Sequence, residues 1–211
     1  MIVVINYQMG NLQSVVNGFE ALGEKAKVTD NPRDLKTADG IVIPGVGAFG
    51  AGMENLKKFG FIPFLNEEVL SKKKPFLGIC LGMQLLAKKS FENGEYSGLG
   101  WLDFEVKRIN PSSDKFRVPH MGWNELSIKN KESRLFRGIV QPAVVYFVHS
   151  FHLFPEPFNA QYITSTCFHG QEITASIEKE NIFAVQFHPE KSQNTGLALL
   201  KNFINIVKGD L

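Results

Sequence analysis

Up to about Trp101, short apolar runs alternate with stretches of helical periodicity, and that rhythm restricts the fold more than any single residue does. Ile2–Ile5 reads as a strand, and Leu12, Val15, Val16, Phe19 and Leu22 follow at helical spacing, with Gly23 placed to stop the helix. Ala26–Thr29 is a second strand and Gly40–Ile43 a third, expected to halt at Pro44 and the glycine-rich loop after it. Residues from Met53 to about Leu70 are helical in pattern, with breaks near Gly60 and Pro63. Pro75–Ile79 is a fourth strand, and Leu81–Lys88 is built of helix formers. This β-α-β-α order implies a parallel sheet covered by helices on both faces.

Beyond Trp101 the texture turns to strands: Phe104–Ile109, Trp123–Ile128, Ala143–Val148, Tyr162–Cys167, Ile173–Ile177 and Ile182–Phe187. A last helix, Gly196–Lys208, carries Leu197, Leu200, Phe203, Ile204 and Val207 on one face. With no repeat, linker or low-complexity stretch, residues 1–211 read as one α/β domain. Its central sheet is expected to be mostly parallel, flanked by helices, with added antiparallel strands. The 23 basic and 21 acidic side chains nearly cancel, so no broad footprint for nucleic acid or anionic membrane is present. The longest like-charge run, Lys72–Lys74, reads as a solvated helix end. Apolar stretches fall far short of the roughly 20 residues that span a bilayer, and Met1–Asn6 lacks the basic start of a signal peptide. Two cysteines are too few for a disulfide framework, and a reducing cytoplasm is the expected setting.

The informative stretch is Pro75–Leu86, where a strand runs through Gly78-x-Cys80-x-Gly82 directly into a helix. A tight strand-to-helix turn of this kind exposes a strained nucleophile. The helix N–H groups that follow favour thiolate over thiol and lie where an oxyanion would form. Most free cysteines are buried structural residues, and Cys167, which lacks this setting, keeps that reading. A thiol needs a base and the base an orienter. The strand Ile182–Phe187 ends in His188-Pro189-Glu190, so His188 falls at the C-terminal sheet edge with a carboxylate two residues away. His120, His149, His152 and His169 have no such partner and read as core or surface residues.

Gly78–Gln84 together with Gln186–Glu190 resembles the class I, or triad, glutamine amidotransferases. Pro44–Phe49, Pro119–Asn124 and Tyr146–Ser150 look like the glutaminase subunit of imidazole glycerol phosphate synthase, and the likeness spans almost the whole chain in order. That resemblance implies a Cys80, His188 and Glu190 triad hydrolysing glutamine through a γ-glutamyl thioester, without cofactor or metal. It implies an oxyanion hole from Leu81 and the Gly45-Val46-Gly47 loop. Gln84 and Glu92, helped by Gly45 and the backbone near Ser150 and Phe151, would hold the glutamine. It further implies ammonia passing to a (βα)₈-barrel cyclase subunit docked over the triad face against Met9, Asn11, Ser14, Trp123 and Lys191. Two departures lie near that face: Asn6-Tyr7-Gln8 stands where Asp-Tyr-Gly is expected, and Phe151 where an aromatic hydroxyl is expected.

Four other readings compete. A related chain could feed ammonia to a sugar-modifying synthase of surface-polysaccharide pathways. Gly45–Gly50 is a literal G-x-G-x-x-G, with Glu67 or Glu68 as the acidic ribose ligand of a nicotinamide enzyme. However, Pro44 opens that loop and the strand before it is not the first of the sheet. The thiol could serve a free-standing γ-glutamyl or acyl hydrolase. A non-catalytic thiol sensor is the last, and it has no need of the base pair at His188 and Glu190.

Overall fold

The computed structural model describes residues 1–155 and 157–211, with side chains except at 157 and 158. Strand β1 (Ile2–Ile5), helix α1 (Leu12–Glu20), β2 (Ala26–Thr29), β3 (Gly40–Gly45), α2 (Phe49–Lys58), α3 (Phe61–Leu65), β4 (Phe76–Cys80) and α4 (Leu81–Gln84) form the N-terminal half. A run of strands follows: β5 (Ala87–Ser90), β6 (Tyr96–Ser97), β7 (Leu102–Arg108), β8 (His120–Glu125), β9 (Ser127–Ile128), β10 (Val144–His149) and β11 (Phe151–Pro155). Then β12 (Ile163–Phe168), β13 (Glu172–Lys179), β14 (Ile182–Val185) and α5 (Gln193–Lys208) complete the chain.

The central sheet has the order β2-β1-β3-β4-β14-β13-β12-β9. Its first five strands are parallel and the last three antiparallel, as the alternation and the later strands foretold. Parallel strands are hydrophobic on both faces because helices cover both, and every residue of β1, β3 and β4 is buried. One apolar cluster lies under α1 and α5 and includes Phe19, Phe183, Phe187 and Phe203. The other lies under α2 and α3 and includes Phe49, Phe61, Phe76 and Phe104. Two small sheets, β10-β8 and β11-β7-β5-β6, stand beside the main one. Among the described residues no helix is long and apolar enough to cross a membrane.

Several boundaries differ from the sequence reading. Strand β3 runs through Pro44 to Gly45, which faces Cys80 across the ladder; pairing to β1 has already ended at Val42, so the proline's missing N–H interrupts no bond on that side. The helical pattern after Met53 divides at Gly60, whose left-handed φ of 72° breaks the axis. Pro63 does not break it again, because it sits in the first turn of α3, where an N–H is not required. Leu81–Lys88 does not stay helical. The carbonyls of Leu85, Leu86 and Ala87 accept from the amides of Leu99, Trp101 and Gly100, and these tertiary bonds draw the chain into β5. Trp123–Ile128 splits at Leu126, whose amide donates to Ala143 while its neighbours join different sheets. On α5 the buried stripe runs through Leu199, Leu200, Phe203 and Ile206, with Leu197 and Val207 only half-buried.

Candidate active site

Register brings the site together. Cys80 closes β4 between Gly45 on one side and the end of β14 on the other, where Val185 faces Ile79. The nucleophile candidate carries φ 53° and ψ −109°, a region that residues with a Cβ rarely adopt and that costs about 1–3 kcal/mol to hold. The flanking glycines serve closeness rather than dihedral freedom. A Cβ on Gly78 would meet the Gly82 carbonyl at 2.8 Å, and one on Gly82 would run into the carbonyl of Ile43. Strand and turn can therefore pack against each other only without side chains there. Since α4 has a single turn, it supplies first-turn N–H groups but little macrodipole.

His188 follows β14 and is 3% exposed. Its backbone is fixed by Tyr146, to whose carbonyl it donates, and by Ser192, whose hydroxyl donates to the His188 carbonyl at 2.6 Å. On the imidazole, Nδ1 donates to Oε1 of Glu190 at 2.7 Å, which leaves Nε2 for the sulfur. That nitrogen makes no hydrogen bond of good geometry, yet the ring lies near enough to Cys80 for the two groups to couple. Burial alone pushes the imidazole pKa down. Hydrogen bonding and charge from Cys80 and Glu190 outweigh it and carry the value up to about 10. Cys167, by contrast, is a buried thiol that desolvation, then Glu172, pushes up to about 12, so it stays protonated and structural.

A cleft of about 240 Å³ opens over the sulfur. Val46, Gly47, Leu81, Gln84, Glu92, Ser150 and Phe151 line it beside Cys80, so the expected oxyanion and substrate residues converge there, with Gly45 just behind. Glu92 is engaged: its Oε2 accepts from the Phe49 amide at 2.7 Å and caps α2, whose own cap residue, Ala48, has no side-chain acceptor. Glu92→Ala is expected to cost about 1 kcal/mol of stability. An unchanged urea midpoint would show that this cap contributes nothing in solution.

Of the expected docking residues, Met9 and Ser14 are half-buried, and Asn11 is exposed and caps α1 by accepting from the Ser14 amide. Trp123 is 49% exposed and edge-on to Tyr146, over whose ring Lys191 extends its ammonium. The loop after β1 touches Val46, since a Cβ on Gly10 would sit 3.5 Å from the Val46 amide.

Sequence reasoning missed three side chains. Gln186 is fully buried, and its Nε2 donates to the Cys80 sulfur at 3.6 Å. His149 lines the cleft and belongs to a buried network. Its Nδ1 faces the Phe151 carbonyl at 2.8 Å, and a carbonyl can only accept, so that nitrogen carries the proton. With His149 neutral, Nε2 accepts from His120 Nδ1 at 2.9 Å, and His120 Nε2 in turn accepts from Asn124 at 3.1 Å. Burial, reinforced by nearby histidine charge, drives both rings neutral: His120 falls to about 4 and His149 well below its usual value. The Tyr7 hydroxyl, buried without a partner, lies under Gly45. Strand alternation gave no signal for these three, because Tyr7 and Gln186 lie just past the ends of β1 and β14 and His149 is the last residue of β10, where the pattern runs out.

The family model for "Glutamine amidotransferase class-I" matches residues 3–207. The chain belongs to that family. It is 46% identical to "Imidazole glycerol phosphate synthase subunit HisH 1" of Campylobacter jejuni (strain RM1221), over 98% of this chain and all of that one. It is 44% identical to "Imidazole glycerol phosphate synthase subunit HisH 2" of Pseudomonas aeruginosa, again over 98% and 100%. Among solved structures, a glutamine amidotransferase from Thermotoga maritima superposes with a TM-score of 0.60 at 20% identity, covering 100% of this chain and 83% of that one. Membership removes the nicotinamide reading, and the structure supplies the physical reason. The G-x-G-x-x-G lies after β3, not after β1. Glu68 is buried and paired with Lys72 at 2.7 Å and Lys74 at 2.9 Å, so it offers no free carboxylate to a ribose.

Proposed function

We propose that this amidotransferase is the glutaminase subunit of an imidazole glycerol phosphate synthase, working in the cytoplasm as a single domain. The strained Cys80 backbone at the end of β4, with His188 and Glu190 arriving from the adjacent parallel strand, is the observation that carries the reading. The Cys80 sulfur attacks the carboxamide carbon of glutamine while Glu190 holds the His188 ring. His188 delivers its proton to the departing nitrogen, which leaves as ammonia, and a γ-glutamyl thioester remains. Water, losing a proton to His188, then adds to the thioester, and the C–S bond breaks to give glutamate and the free thiol. The amide of Leu81 and the Gly45-Val46-Gly47 loop stabilise the oxyanion. Gln84 and Glu92 hold the glutamine's amino-acid end, with backbone near Ser150 and Phe151 helping.

Val46 is 43% exposed at the mouth of the cleft, within reach of a protein bound over it. The partner is a (βα)₈-barrel cyclase subunit contacting Met9, Asn11, Ser14, Trp123 and Lys191, and it accepts the ammonia in forming imidazole glycerol phosphate and the purine precursor AICAR. Only interactions made in the transition state speed the chemistry, so the partner acts by completing the oxyanion hole at Val46. Glutamate release is expected to be slow for the chain alone. It should rise by roughly a hundredfold with the cyclase and its nucleotide, since one oxyanion donor is worth 10²–10³. An equal rate with and without that cyclase would overturn this partner assignment and favour a sugar-modifying acceptor or a free-standing hydrolase.

A further inference from the structure

Four polar groups form an unbroken hydrogen-bonded chain that ends on the reactive sulfur. The Phe151 carbonyl accepts from Gln84 Nε2 at 2.8 Å. The same nitrogen donates to Gln186 Oε1 at 3.0 Å. Gln186 Nε2 then donates to Cys80 Sγ at 3.6 Å. The orientation of each amide is dictated by the next, since the Phe151 carbonyl can only accept and therefore sets Gln84, and Gln84 sets Gln186. The far end is held as well: the Phe151 carbonyl also accepts from His149 Nδ1, and His149 is anchored through His120 to Asn124 on β8.

Gln186 has no freedom to do otherwise. It is 0% exposed, its backbone amide donates to Ala175 at 2.8 Å, and it stands two residues before His188 on the same turn out of β14. A buried amide costs several kcal/mol unless its hydrogen bonds are made. A leucine would fill the same space more cheaply, so packing does not account for the amide. What it offers is a donor aimed at the sulfur, in a place where α4 is too short to supply a strong dipole.

Resting on the glutaminase reading of the site, we propose that Gln186 is a further catalytic residue. Its amide donates to the Cys80 thiolate, and through Gln84 it ties the position of the sulfur to occupancy of the glutamine cleft. Gln84 is then a two-sided contact, with its nitrogen committed to the relay and its oxygen free for the α-amino group of the substrate. Losing the donor should disfavour the thiolate in the resting protein. Losing the relay should also loosen the sulfur when substrate arrives.

The test needs no substrate at first. Iodoacetamide alkylation of the chain is followed against pH, and its midpoint reports the thiolate. In Gln186→Met the midpoint should move up by about one pH unit, the scale of a hydrogen bond to an ionised group. Glutamate turnover should fall about tenfold in kcat, with a smaller rise in KM, whereas a loss confined to packing would lower the melting temperature and leave the midpoint alone. Gln84→Met, which keeps the Gln186 donor but frees it, should move the midpoint in the same direction by less and raise KM more. An unmoved midpoint in a folded Gln186→Met, or in Gln84→Met should the former fail to fold, overturns the role given to Gln186. Absence of glutamate release by the wild-type chain and its partner would instead sink the glutaminase reading, and the alkylation result would still stand by itself.

Discussion

Cys80→Ala is expected to lower glutamate release, measured with the cyclase partner present, by about four orders of magnitude or more, the scale on which removing a triad member acts. Cys80→Ser should do nearly as badly, because a hydroxyl is not ionised by an imidazole tuned to a thiolate. His188→Asn belongs with them. Glu190→Gln should lose less, roughly 10²–10⁴, since the ring remains but its tautomer is no longer enforced. A second measurement separates strain from chemistry. The Cys80 backbone at φ 53° and ψ −109° suits glycine alone. Cys80→Gly should therefore be dead yet more stable than the wild type by about 1 kcal/mol, from about 1–3 of relieved strain less 0.5–1 for added chain freedom. A glycine variant that melts below the alanine variant would mean that the nucleophile is not held under tension.

Close packing of strand against turn explains why this part of the site was legible beforehand. Gly78 and Gly82 sit where no side chain fits, and a sequence spends glycine around an apolar strand end only for such a reason. His188 was legible for a topological cause. A parallel β14 beside β4 must deliver its C-terminal residue to the edge that carries Cys80. What stayed hidden were side chains whose meaning depends on meeting residues far along the chain. Gln186 reads as one polar position in Ile182–Phe187 until Gln84, 102 residues earlier, is set against it. His149 and His120 looked unpartnered because each is the other's partner across β8 and β10. The helix composition of Leu81–Lys88 misled for the opposite reason. Local propensity amounts to tenths of a kcal/mol per residue, while the carbonyls of Leu85, Leu86 and Ala87 found tertiary donors.

The same histidines make the fold sensitive to mild acid. His120 and His152 are 3% and 2% exposed, and burial, in each case the largest cause, lowers both to about 4. In the unfolded chain they take up protons near 6.5. Their contribution is complete above that pH and is lost as pH falls toward 4, because only the unfolded state binds the proton. Each group gives a slope of about 1.4 kcal/mol per pH unit in that window, so the pair should cost about 4 kcal/mol between pH 7.5 and 5. His149 shifts in the same direction and adds to it. Between pH 7.5 and 6.5 His188 works in the opposite sense, and below 6.5 nothing else with a resolved shift intrudes. The carboxylates held low by lysines, such as Glu68 and Glu105, lose their contribution only below about pH 4.5. His188, raised instead of lowered, contributes fully below 6.5 and loses its share as pH climbs through about 10. Urea unfolding between pH 6.5 and 5 should thus show a falling stability whose slope drops by about 1.4 kcal/mol per unit in His152→Gln. A flat profile across that range would mean that the buried rings take up protons as readily in the folded protein as in the unfolded one. The neutral chain from Asn124 to the Phe151 carbonyl would then give way to a charged one already below about pH 6.5.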